Sequence, residues 1–149
     1  MAFLMASSAL STPALAQDTE GVFRFLAITD SAAMLVSASA SGPENARVIT
    51  EVVVPKTPGP SGASALVAEI IADCPAGATR MGRIIAYKGD AEFQRVVATG
   101  EFKVPEAGSV SWQLLRYACA GELQDPDKTQ VTGVAAAFAY AHGKLGINP

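Results

Sequence analysis

Ala65-Leu66-Val67-Ala68-Glu69-Ile70-Ile71-Ala72-Asp73-Cys74 is the stretch on which the fold turns. Leu66, Ala68, Ile70 and Ala72 share one parity, and Val67, Glu69, Ile71 and Asp73 the other, which is the period of a β-strand. Pro75 stops it, because proline fixes φ and has no N–H for a ladder. Cys74 therefore closes a strand. The chain has one other cysteine, Cys119, and that residue falls at the end of a helical pattern. Val110, Leu114 and Tyr117 recur at i, i+4 and i+7, with Leu115 and Ala118 beside them. Ser109 is a good N-cap and Gly121 a good stop. A Cys74–Cys119 disulfide would then tie a strand to the last turn of a helix lying over the sheet.

The N-terminus sets the compartment in which such a bond forms. Met1 to Leu10 is apolar and uncharged, and Ala14-Leu15-Ala16 is the small-x-small pattern cut by signal peptidase. Residues 1–16 are read as a signal peptide, with a true start upstream because no Lys or Arg precedes the apolar run; a buried N-terminal helix is the competing reading. The apolar run is far shorter than the roughly 20 residues that span a bilayer, and Gln17 stands where a lipid-anchored protein would carry cysteine. Export to the periplasm or cell surface follows, and two thiols in an oxidising compartment are expected to pair. A metal pair lacks ligands, since the only histidine, His142, is far along the chain, and no CxxC redox motif occurs.

Upstream and downstream of the central strand the alternation repeats. Residues 22–54 read as three short strands separated by Asp30-Ser31 and by Ser41-Gly42-Pro43-Glu44-Asn45. In the third, rich in β-branched residues, Thr50 and Glu51 fall on opposite parities. Lys56 to Gly62 is a proline-broken loop. Arg80 to Lys88 is a further strand, Lys88-Gly89-Asp90 a tight turn, and Phe93 to Ala98 its return. Glu101-Phe102-Lys103-Val104 alternates before Pro105. Gly82, inside a strand, marks a bulge or a close approach. Short strands with polar turns indicate an antiparallel meander, not βαβ units. The expected fold is α+β: about six antiparallel strands with one helix packed on them. Its domain covers residues 17–121. The segment 122–149 is an extension, either a second helix built on Val131, Val134, Phe138 and Ala141 or a mobile tail.

Composition narrows the function. Half of the chain is hydrophobic and 17% is charged, enough for a core but not for a solvating tail, and the net charge of −3 does not suggest nucleic acid. Arg80 to Arg116 is rich in basic residues, but Asp90, Glu92, Glu101 and Glu106 lie among them, as on a solvated sheet face. No GxSxG elbow, phosphate-cradling glycine loop, zinc spacing or calcium loop is present. Glu69 and Asp73 are about 13 Å apart along a strand, beyond the roughly 5–10 Å of a glycosidase pair. No catalytic, metal or cofactor residues are assigned. Trp112 and Arg116 are the candidate interaction surface, as aromatics and arginine dominate interface energetics; for Trp112, packing on the sheet is an equal alternative.

Asp73-Cys74 at a strand end, Arg80, then Tyr87 and Gly89 at a hairpin form a series of landmarks over residues 22–121. Phe102-Lys103-Val104-Pro105, Gly108-Ser109 and Cys119 complete it. The series resembles the surface-adhesin protein E family of small exported bacterial proteins. Phe102 stands where tryptophan is usual, and Glu106-Ala107 are extra. The resemblance implies a six-stranded antiparallel sheet, a helix disulfide-bonded to it, and an envelope protein that binds other proteins. The functional expectation is thus a non-catalytic adhesin-like protein with an unidentified protein partner and the option of a homodimer. The alternative is a small periplasmic enzyme or ligand-binding domain.

Overall fold

A computed structural model describes residues 21–123 and 127–147; the signal peptide expected over residues 1–16 lies outside them. The strands are β1 (Val22–Ile28), β2 (Ala32–Ser37), β3 (Arg47–Pro55), β4 (Ala65–Asp73), β5 (Ala78–Lys88), β6 (Ala91–Val97) and β7 (Gln130–Thr132). The helices are α1 (Val110–Ala120) and α2 (Val134–Leu145). One seven-stranded sheet runs in the order β6-β5-β4-β3-β2-β1-β7, and every neighbouring pair is antiparallel.

The first six strands form the expected meander, each joined to the next by a short connection. Thr29 sets the β1–β2 turn, its Oγ1 accepting from the Ala32 N–H at 3.1 Å. Gly89 takes φ +59° between β5 and β6, a left-handed position that glycine fills without a Cβ clash. Gly82 lies in an irregularity of the β4–β5 ladder, where a Cβ would come within 2.5 Å of Glu69 Oε1. Close approach is thus its role.

Two corrections concern the segments flanking α1. Glu101 to Val104 does not form a strand: it makes a single antiparallel bridge, Thr79 with Lys103, and Phe102 turns under the Arg80 guanidinium at 5.3 Å. Clean alternation does not suffice when β6 already occupies most of that edge of β5. Val131, expected in a C-terminal helix, instead lies in β7 opposite Phe23. The extension thereby adds a seventh strand beside β1, and the helix that follows is α2.

α2 changes the layering. α1 covers one sheet face, where Leu114, Tyr117 and Ala118 pack on Leu26, Met34, Val36, Ile49, Ala68 and Ile70. α2 covers the other, with Val134, Ala137, Phe138 and Ala141 against Phe23, Leu35, Val52, Val54, Val67 and Tyr87. Phe138 meets Tyr87 edge-on at 5.1 Å. The sheet is therefore the middle of three layers: beside the one helix expected to pack on it, the extension supplies a second, which was one of its two readings. Asp127 secures the approach to α2, accepting from the Thr129 N–H at 3.0 Å and pairing with Lys144 at 2.9 Å.

α1 begins and ends where its sequence indicates. Ser109 Oγ accepts from the Trp112 N–H at 3.2 Å, and Gly121, at φ +70°, sends its N–H back to the Tyr117 carbonyl. Cys119 then meets Cys74 in a disulfide with Cα atoms 5.6 Å apart. The bond joins the end of β4 to the last turn of α1, as the strand and helix patterns require.

Candidate functional site

The two residues singled out on α1 are brought into contact. The Arg116 guanidinium lies 5.0 Å from the Trp112 ring centroid, and Glu122 accepts from its Nε at 2.8 Å. Trp112 is half-buried, and Arg116 is exposed. With Leu26, Gln113, Glu122 and Leu123 they wall a hollow of about 480 Å³. The guanidinium is already engaged on both sides, which makes this a self-satisfied cluster.

The other basic residues of the Arg80–Arg116 stretch are largely engaged as well. Arg83 bonds Glu69 at 2.9 Å, Arg95 bonds Glu92 at 2.8 and 2.7 Å, and Lys88 stands 4.8 Å from the Phe93 ring centroid. That agrees with a solvated, self-neutralised face.

His142 lies with Ser64 and Asp90 at one hollow of about 290 Å³. The three residue types of a hydrolytic triad are thus near one another, yet the serine is committed elsewhere. Ser64 Oγ donates to the Tyr87 carbonyl at 3.2 Å and accepts from the Gly89 N–H at 2.8 Å. It serves the β5–β6 hairpin.

The most unusual side chain is one to which the sequence reading gave no role. Glu51 sits mid-strand in β3, opposite Val36 of β2 and Ala68 of β4, on the face covered by α1. Its parity mates Ile49 and Val53 belong to the same apolar cluster. It is 7% exposed, and among the described residues it has no hydrogen-bond or ion-pair partner. Burial alone pushes its carboxyl up to about 7, since removal from water penalises the charged form and no neighbouring cation compensates.

Glu51 lines a cleft of about 570 Å³ between α1 and the β4–β5 part of the sheet, closed on one side by the connection from β6 to α1. Ile70, Met81, Val104, Pro105, Val110 and Leu114 supply apolar wall. Arg80, Glu101, Lys103 and Glu106 bring charge to the same cleft. A volume in the range of small-molecule sites and an apolar wall beside convergent polar groups are the ingredients of a ligand pocket. The signal in the sequence was one acidic residue among β-branched neighbours, on the parity of Ile49 and Val53.

The sheet edges differ. β7 is three residues long, whereas β6 is seven and exposed at every position. Eight large hydrophobic residues are exposed among those described, and six of them (Met81, Phe93, Val96, Val97, Phe102 and Val104) belong to β5, β6 and the segment after β6. Exposed apolar surface therefore concentrates at one edge. No helix of the described residues is long and apolar enough to cross a membrane, and no group of three or more metal-ligating side chains occurs among them. No protein-family model, curated protein or solved structure matches the chain, so its function is argued from its own residues.

Proposed function

We propose that this is an exported, non-catalytic protein of the cell envelope that binds a partner polypeptide as an added strand along β6. The observation that carries the reading is the outer edge of β6, where no strand of the described residues pairs, with all seven residues exposed and Phe93, Val96 and Val97 among them. An edge strand presents unpaired backbone donors and acceptors, and an extended chain satisfies them while side chains such as Phe93 and Val97 add apolar contact. The opposite edge is too short to compete. The Cys74–Cys119 bond suits an oxidising compartment, and the resemblance to the surface-adhesin protein E family points to the same kind of role.

Val97 is 68% exposed, so Val97→Lys places a charge on the edge without opening the core. The test is recovery of envelope proteins with wild-type, Val97→Lys and Trp112→Ala chains, followed by amide exchange on the recovered complex. A partner lost only with Val97→Lys, together with protected β6 amides in the wild-type complex, supports strand addition. Equal recovery by wild-type and Val97→Lys chains, or unprotected β6 amides, refutes it. Self-association along the same edge would appear as a dimer in light scattering that Val97→Lys abolishes.

A second reading, a small ligand-binding domain, is favoured by the Glu51 cleft.

A further inference from the structure

We propose that the cleft between α1 and the sheet binds a small organic amine, its ammonium paired with Glu51 and its apolar body laid against Ile70, Val110 and Leu114. The site stands apart from strand addition at β6, and either can hold without the other.

The argument starts from what Glu51 lacks. A buried carboxylate is normally met by an arginine, a lysine or several N–H donors, because burying an unpaired charge is unfavourable by several kcal/mol. Glu69, one strand away, follows that rule through Arg83. Glu51 does not, although it is buried more deeply. The position is mid-strand in the middle of the sheet, where an apolar residue would pack against Ile49, Ala68 and Ile70. A carboxylate there weakens the fold. It is also the polar group that a ligand entering the cleft would meet at the bottom.

The surroundings select the ligand's charge. Arg24 lies in the same cross-strand row, as Arg24 pairs with Val36 and Val36 with Glu51, but it makes no contribution to the acidity of Glu51. The charged groups lining the cleft are Arg80 and Lys103 from β5 and the β6–α1 connection, and Glu101 and Glu106 from that connection. The N-cap Ser109 and the α1 residues Val110, Ser111 and Leu114 line it, none of them charged. Two cationic and two acidic groups balance, leaving the Glu51 carboxylate as the excess. A cation is drawn in and an anion is not. The apolar walls require that the cation carry a hydrocarbon or aromatic body, since a fully hydrated ion would gain nothing from them.

The measurement is binding to the full chain by NMR shift perturbation, with 2-phenylethylamine, the uncharged 2-phenylethanol and anionic 3-phenylpropionate as probes. The amine is expected to shift cleft resonances saturably, with the alcohol and the acid weaker by about tenfold or more, as loss of one charge pair predicts. Affinity for the amine should fall as pH drops below about 7, where Glu51 takes up a proton, and level off above it. Glu51→Gln, checked for folding by the retained disulfide and its spectrum, should bind amine and alcohol alike. The wild-type probe series and its pH dependence test the site even if that variant fails to fold. Equal binding of amine and alcohol by the wild-type chain, a pH-independent amine affinity, undiminished amine binding by Glu51→Gln, or no saturable shift up to about 10 mM would each overturn the proposal.

Discussion

Glu51 and Glu69 lie on adjacent strands but point to opposite faces of the sheet, because the ladder pairs Thr50 with Glu69 and Glu51 with Ala68. One register step separates two fates. Glu69 faces the α2 side and bonds Arg83; Glu51 faces the α1 side and has no partner among the described residues. A side-chain period of two makes this unavoidable, since neighbouring pairs in a ladder alternate faces.

From this follows a pH dependence of stability. Glu51 holds its proton more tightly folded than unfolded, at about 7 against an ordinary 4.5. The stability linked to that proton is complete below about pH 4.5 and is lost as pH rises through about 7. The full shift corresponds to about 3 kcal/mol. Urea unfolding of Glu51→Gln should show greater stability than wild type at pH 8 and little difference at pH 4. Parallel wild-type and Glu51→Gln profiles across that window would contradict the burial of Glu51.

The disulfide closes a loop of 45 residues between β4 and α1. Chain entropy assigns such a cross-link about 4 kcal/mol. Cys119 is exposed, so reductant can reach it in the folded state. Reduction and alkylation should lower the unfolding free energy by about 2–4 kcal/mol and slow migration on a non-reducing gel. Unchanged urea midpoints after complete alkylation of both thiols would show that the clasp does not stabilise the fold.

Phe138 is the largest anchor of α2, 4% exposed and in edge contact with Tyr87. Phe138→Ala should destabilise the protein by about 3–5 kcal/mol through lost burial and the cavity left behind. The outcome is read from thermal or urea unfolding. A change under about 1 kcal/mol would mean that α2 does not belong to the core.

Tyr117 offers a smaller test on the other face. Its hydroxyl donates to the Ser37 carbonyl at 2.7 Å, and burial is the main cause that raises its phenol above the usual 10. Tyr117→Phe should lose about 1 kcal/mol of stability and remove the late-ionising tyrosine from an alkaline absorbance titration. If the variant titrates like wild type, the Tyr117 phenol is not raised by burial.

Much of this architecture could be read in advance, for a local reason. The bounds of β4, the helix α1 and its Ser109 and Gly121 caps depend on periodicity and turn chemistry within a few residues, and the meeting of Cys74 with Cys119 on there being only two cysteines to pair. The segment Glu101 to Val104 misled because alternation does not reveal whether a neighbouring edge is free. Val131 misled because it matches a helical face equally well.

By itself the sequence determined the first six strands and the caps of α1, which follow from nearest neighbours along the chain, and, with only two cysteines, the covalent link. Only the tertiary structure decided that α2 returns to cover the second face of the sheet. It likewise decided that, among the described residues, Glu51 is buried without a partner and β6 is left as the long edge strand. A strand's residues fix which side chains share a face, but the burial of that face depends on segments distant in sequence. The same acidic residue would be an ordinary solvated group on an uncovered sheet.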